Sequence, residues 1–502
     1  MSRSITLKLL LAFLTLCFLP FVLNVRPATA DEGPGLSVLQ SERFGTLRLY
    51  REALPPTGAV ILFSGGEGWS NDTDKLARLM AKTGRLIIGV DTKTYRDQFE
   101  QDDEECIYLA GELERLSQSA EKGAGLEQFY RPILAGVGDG AALVYIALGQ
   151  YQQDFLGGIV FGFCPSLSGV KPFCAGDALR TSVQTEKRKK VVMLEPSRKI
   201  TAQIRAVHGS NDTVCTTNRV RRFFSDVPNA SVTEIGRFKR DAGSLMSSAG
   251  FEKMLVKQLD ALDRKSHAAS ESTVVGTNVA DLPLTEIVPQ NPKEDYFVVF
   301  VSGDGGWATI DKEVGTYLSE NGIPVIGFDA LSYFWHRRTA EQTAVDVTRV
   351  IKFYSAKLKR RKVVLVGFSL GADVLPFVAR RLPGTIAKNL RAVVLLSPST
   401  RVDFEVHISS WIGVDEEDAG ALLFPEIQKL KGTRLLCLYG GDDDDCVCPQ
   451  LDAVKQPGVT ILRLEGDHHF DGDYEKVGKL LLENLAQPAA AAVAPAKRGR
   501  GR

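Results

Sequence analysis

One pattern occurs twice along the chain, and that repetition limits the fold more than any other feature. Val60-Ile61-Leu62-Phe63-Ser64-Gly65-Gly66-Glu67-Gly68-Trp69 is echoed by Val298-Val299-Phe300-Val301-Ser302-Gly303-Asp304-Gly305-Gly306-Trp307, with the paired serines 238 residues apart. Gly89-Val90-Asp91 and Gly327-Phe328-Asp329 keep that spacing. Gly136-Val137-Gly138-Asp139-Gly140-Ala141 and Gly367-Phe368-Ser369-Leu370-Gly371-Ala372 stand 231 apart, as do Gly209 and Gly440, and Gly236 precedes Gly466 by 230. So steady an offset predicts two tandem domains of similar fold, over about 40–262 and 282–486, with the small change absorbed in a loop. The polar stretch 263–281 between them reads as a linker. The Ala/Pro-rich, basic residues 487–502 read as a disordered tail.

Within each half, short β-branched runs alternate with helical stretches. In the second half Phe297–Val301, Pro324–Phe328, Lys362–Val366, Arg391–Leu396, Arg434–Leu438 and Thr460–Leu464 read as strands. Ile310–Ser319, Ala340–Ala356 and Ala372–Arg380 read as helices. Continuous apolar strands separated by helices predict an α/β fold whose mostly parallel sheet is covered on both faces. Ligands of such sheets sit at the carboxyl ends of the strands, where the motifs fall.

Gly367-Phe368-Ser369-Leu370-Gly371 follows an apolar strand and opens a helix, the context a G-x-S-x-G nucleophile elbow requires. The glycines keep bulk away from the neighbouring strand and helix. The serine needs a base. His468 follows Gly466 by two in the loop after the last strand, with His469 as the alternative. The base needs an acid to fix its tautomer. Matching Asp212-x-x-Cys215 of the first half selects Asp445; matching the glycine spacing selects Asp443. The cysteine match is preferred. An oxyanion hole needs backbone N–H groups, expected from Leu370 and from Asp304 or Gly305 in the glycine-rich loop. Asp304, Asp329 and Asp373 are further acids close to these motifs in sequence, and Trp307, Phe334 and Trp335 further aromatics. The first half has Gly138 at the elbow and no histidine at Gly236-Arg237-Phe238, so it reads as a degenerate, non-catalytic copy. A separate site built on Glu67 and Asp91 is the alternative there. No metal or organic cofactor is required by this chemistry.

Residues 1–30 read as a signal peptide: Arg3 and Lys8, an apolar run over Leu9–Leu23, then Ala28-Thr29-Ala30 as a cleavage site. Export makes disulfides possible among the seven remaining cysteines. Cys164 with Cys174 is one expected pair, and Cys437 with Cys446 or Cys448 another; the odd total leaves a thiol over. The 61 basic and 61 acidic residues cancel, which removes any global charge argument for nucleic acid as a partner.

Ser302–Trp307, Ser332-Tyr333-Phe334-Trp335, Gly367–Pro376 and Gly466–Tyr474 together resemble the bacterial virulence protein VirJ family, and the two-domain layout is similar to its long form. The resemblance implies two α/β-hydrolase-like domains, the first degenerate. It also implies a periplasmic protein that hydrolyses lysyl-phosphatidylglycerol to lysine and phosphatidylglycerol. Expected partners are then an aminoacylated phospholipid at the membrane surface, with Asp304, Asp329, Asp373 and the spare members of Asp442–Asp444 as candidate carboxylates for its ammonium groups and Trp307, Phe334 and Trp335 for lipid contact, and type IV secretion components. Links to virulence and acid tolerance come with it. Alternatives are a serine esterase or lipase of other specificity, or a non-catalytic adaptor of a secretion machine.

Overall fold

The computed structural model describes residues 35–486 except 42, 53–54, 100–105, 169–170, 177, 187–188, 237, 271–278, 407–419 and 456–457. The expected signal peptide, the tail, part of the linker and Arg237 lie outside the described residues. No described helix is long and apolar enough to cross a membrane.

Two sheets repeat one design. In the first lobe, the parallel strands Leu86–Val90, Ala59–Phe63, Ile133–Val137, Gly157–Phe161, Ile204–Gly209 and Ala230–Ile235 lie side by side in that order. In the second, Val325–Phe328, Tyr296–Val301, Lys362–Phe368, Leu390–Leu396, Leu435–Gly440 and Val459–Leu464 do the same. An antiparallel strand flanks each: Gly45–Arg51, itself paired with Gly35–Ser41, and Leu284–Ile287. The predicted strands of the second half are present with ends shifted by a residue or two. The flanking strands were not expected, because short edge strands carry little hydrophobic signal. Central strands such as Tyr296–Val301 and Ala59–Phe63 are buried along their whole length, as helices on both faces demand. The helix Phe251–Ser270 runs on into the expected linker.

The lobes pack on each other. Trp335 Nε1 donates to the Leu126 carbonyl at 2.8 Å, and its ring meets Phe129 at 5.8 Å. His336 contacts the Glu127 carbonyl at 2.8 Å, and Lys122 pairs with Glu405 at 3.2 Å.

Three disulfides join Cys106 to Cys174, Cys164 to Cys215 and Cys437 to Cys448, leaving the buried Cys446 as a free thiol. The expected Cys164–Cys174 pair is therefore corrected. Cys174 sits beside Ile107, with which it shares a backbone hydrogen bond, and so reaches Cys106. Cys164 follows a strand whose neighbour leads to Cys215. The repeat explains Cys446. Cys164 and Ser399 each come two residues after a positive-φ residue that ends its strand, Gly162 at 63° and Ser397 at 45°. Cys215 and Cys446 each come three residues after the corresponding aspartate, Asp212 and Asp443. The second lobe thus has Ser399 where the first has a bridging cysteine, and Ser399 and Cys446 form a backbone bridge. Ser399→Cys is expected to close that bond, with loss of free thiol by mass spectrometry and a gain of about 2–4 kcal/mol in denaturant unfolding. A thiol that stays reactive in the oxidised variant would contradict this.

Candidate active site

The strand Lys362–Phe368 and the helix Leu370–Arg381 meet at Ser369, which has φ 48° and ψ −120°. A non-glycine residue at positive φ is strained, and here the strain lifts the hydroxyl out of the turn. The two glycines are sterically obligatory. A Cβ on Gly367 would lie 2.4 Å from the Gly371 carbonyl carbon and oxygen, and one on Gly371 would lie 2.1 Å from the Val301 oxygen. The first N–H groups of a helix have no intrahelical acceptor, so Leu370 presents a free donor beside the serine. The loop Ser302–Trp307 crosses in front: a Cβ on Gly303 would stand 3.5 Å from Ser369 Cβ. Ser302, buried, holds that loop by accepting from Ala330 N at 2.8 Å and donating to the Gly303 carbonyl at 3.1 Å. Gly306, at φ 80°, closes it as a tight turn onto Gly303.

His468 lines the same cavity as Ser369, and its Nδ1 lies 3.0 Å from Asp443 Oδ2. That bond leaves Nε2 as the proton acceptor. His468 is held further through its carbonyl, which accepts from Ser397 Oγ at 2.9 Å. His469 lines the cavity too, but no carboxylate pairs with its ring among the described residues; burial, then neighbouring His468, lowers its pKa.

The carboxylate that meets His468 is Asp443, not the preferred Asp445. Asp443 has a side chain only 7% exposed, whereas Asp445 is exposed and accepts from Thr400 Oγ1 at 3.0 Å. Both Asp212 and Asp443 donate their N–H to the glycine three residues back. The glycine spacing was the sound guide; the cysteine match failed because Cys215 corresponds to Cys446 and not to Cys448.

Asp304 and Gly305 line the cavity. Asp329, Asp373, Trp307, Phe334 and Trp335 do not, and each has another task; Phe334 is buried and packs edge-on against Tyr333. Asp329 caps a helical turn, accepting from Ser332 N at 3.1 Å. Asp373 is buried and accepts from Ser399 N at 2.7 Å, with burial raising its pKa. Trp307 packs edge-on against Phe300, over Gly327, where a Cβ would meet its ring at 2.6 Å. Trp335 is spent on the contact between lobes.

The first lobe keeps the shape of this site and fills it. Gly138 has φ 59° and ψ −113°, the same elbow without the hydroxyl. Arg240 sits over it, 3.7 Å from Asp212 and 3.8 Å from Asp139, with its Nε donating to the Gly162 carbonyl at 3.1 Å. Asp91 is bound to the backbone of Trp69, Lys93 and Thr94, and Glu67 is exposed, so no second site forms on that pair. What sequence reasoning missed is that the first lobe walls the cavity of the second. The cavity, about 900 Å³, is lined by Ser369, His468 and Asp304 on one side and by Glu114, Gln118 and Asp154 on the other. The helix Leu109–Gly123 that carries Glu114 reads in sequence as an ordinary amphipathic helix.

Residues 295–489 match the family model for bacterial virulence protein (VirJ). That match covers the second lobe, so this lobe is what resembles the VirJ family. Both lobes are α/β, each with a mostly parallel sheet, and solved structures are similar to the chain at low identity. An alpha-beta serine hydrolase homologue from Coxiella burnetii is 16% identical, with 40% of this chain and 91% of that one covered at a TM-score of 0.29. A proline iminopeptidase from Mycobacterium smegmatis is 10% identical, covering 40% and 93%, TM-score 0.30. The esterase domain of a Rhodothermus marinus protein is 12% identical, covering 47% and 99%, TM-score 0.30. No curated protein matches the chain.

Proposed function

We propose that the protein is a periplasmic serine hydrolase that cleaves the aminoacyl ester of lysyl-phosphatidylglycerol. The observation that carries the reading is Ser369 held at positive φ in the cavity where Asp443 fixes His468 at 3.0 Å. In this reading Ser369 Oγ attacks the lysyl carbonyl while His468 Nε2 takes its proton. The oxyanion is held by N–H groups of Leu370 and of Asp304 or Gly305. His468 returns the proton to the departing glycerol oxygen, and water attacking the acyl-enzyme releases lysine. No step needs a metal or cofactor. The substrate follows from the motif resemblance to the VirJ family, and export from the signal-like N-terminal sequence.

The expected result is free lysine and phosphatidylglycerol when the purified chain meets lysyl-phosphatidylglycerol vesicles, with no fatty acid released. Cleavage of simple acyl esters without lysine release would sink the lipid assignment. If a fluorophosphonate fails to label Ser369 at all, the chemistry is absent and a binding role within a secretion machine takes its place.

A further inference from the structure

We propose that the first lobe completes the substrate site, with Glu114, Asp154 and Gln118 forming the subsite for the ammonium group of an aminoacyl ester. The proposal rests on the second lobe being an esterase at Ser369.

The position is right. Gly305, one of the candidate oxyanion residues, has no side chain where a Cβ would stand 2.8 Å from Glu114 Oε1. A carboxyl of the first lobe thus reaches the rim of the catalytic centre only because residue 305 is glycine. An aminoacyl ester whose carbonyl oxygen lies at this loop carries an ammonium on the adjoining Cα, within the same cavity as Glu114.

The hydrogen-bond inventory points to a donor ligand. Gln118 is 1% exposed and lines the cavity. Its Nε2 donates to Glu114 Oε1 at 3.3 Å, while its Oε1 has no partner among the described residues. Asp311, also 1% exposed and on the cavity wall, has Oδ1 without a partner. A buried acceptor left unmatched is destabilising, which a ligand bearing N–H groups relieves and an acyl chain does not. An ammonium brings three donors and no acceptor.

The charges agree. Glu112, Glu114, Asp154, Asp304 and Asp311 line the cavity against two guanidiniums. Of these, Arg43 is held by Glu112 at 2.5 Å, and Arg115 lies exposed at the surface. Desolvation, then the charges of Asp154 and Asp304, raises Glu114 well above the usual carboxylate range. Asp154 is pushed up to about 7, chiefly by desolvation, with Lys312 and Arg131 opposing. A cation placed beside such desolvated carboxyls favours their ionised form. Lys312 and Arg131 both act on Asp154, whereas on Glu114 Arg115 is the opposing cation, so Glu114 is the principal contact.

The division of labour also accounts for the degenerate lobe. Its own elbow is plugged by Arg240, yet its helix Leu109–Gly123 faces the active elbow of its neighbour. Selectivity for a cationic acyl group then resides in a lobe that performs no chemistry.

The test uses the full chain and the p-nitrophenyl esters of lysine and of hexanoate, the same carbon chain with and without its amines. Glu114→Gln is expected to lower the lysyl-to-hexanoyl ratio of kcat/KM by about tenfold or more, with the loss in KM for the lysyl ester. Glu114→Asp should retain part of the preference. An unchanged ratio overturns the proposal. So does an equal loss on both esters, which would make Glu114 a prop for the oxyanion loop. Should Glu114→Gln fail to fold, Asp154→Asn is read by the same ratio. Failure of the esterase reading looks different: the wild type then cleaves neither ester, and fluorophosphonate leaves Ser369 unlabelled.

Discussion

Ser369→Ala is expected to lower kcat for ester hydrolysis by about a millionfold, down to what the oxyanion donors and binding alone supply. The hydroxyl stands at the elbow, beside the glycine-rich loop and in the cavity that His468 also lines. His468 cannot substitute, because its Nδ1 is committed to Asp443 and the glycine-lined turn presents residue 369 toward the oxyanion loop. The fold should survive. Alanine keeps the Cβ, so the strain at φ 48° is unchanged and the melting temperature should move little. Ser369→Gly should abolish turnover equally and yet stabilise the chain by about 1 kcal/mol, since glycine takes positive φ without strain. The first lobe already shows that exchange, with Gly138 at φ 59° in an elbow of the same shape. Single-turnover assays and denaturant unfolding of the two variants measure both effects. Retained turnover in Ser369→Ala would move the chemistry away from the elbow altogether.

What was legible in the sequence follows from where physics acts locally. Strands such as Tyr296–Val301 are apolar at every position because both sheet faces are covered, and a continuous run is visible without knowing the partners. The glycines at 367 and 371 are visible for the same reason, since each avoids a clash within a few residues or with the adjoining strand. The aspartates were not separable. Asp329 caps a turn, Asp373 ties a loop and Asp304 faces the cavity, yet all three are acids just after a strand or at a helix start, where capping and ligand binding favour the same residue. Trp335 illustrates a second limit. A tryptophan near a motif suggests substrate contact, but its N–H found the Leu126 carbonyl of the other lobe. Glu114 illustrates the third: it lies about 250 residues before the serine, and only the packing of two lobes brings it to the site. The repeat that revealed two domains gave no sign that one would wall the active site of the other.

The run Asp442–Asp445 poses the question of the acid most sharply, and substitution should answer it with a large contrast. Asp443→Asn is expected to cut kcat by about ten-thousandfold with little change in KM. The amide would stand where the carboxylate now meets His468 Nδ1 at 3.0 Å, and its NH₂ group would favour the tautomer that puts the proton on Nε2. An imidazole protonated there cannot take the serine proton, and no buried charge remains to stabilise the imidazolium. Asp445→Asn should change kcat by no more than about twofold, because it alters an exposed hydrogen bond to Thr400 and nothing that touches the ring. Cys446 sits buried three residues after Asp443, as Cys215 does after Asp212, so the loop is fixed from the core side and should not shift to offer another aspartate. A larger loss in Asp445→Asn than in Asp443→Asn would mean that the loop rearranges around substrate and that the cysteine match, not the glycine spacing, marks the working register.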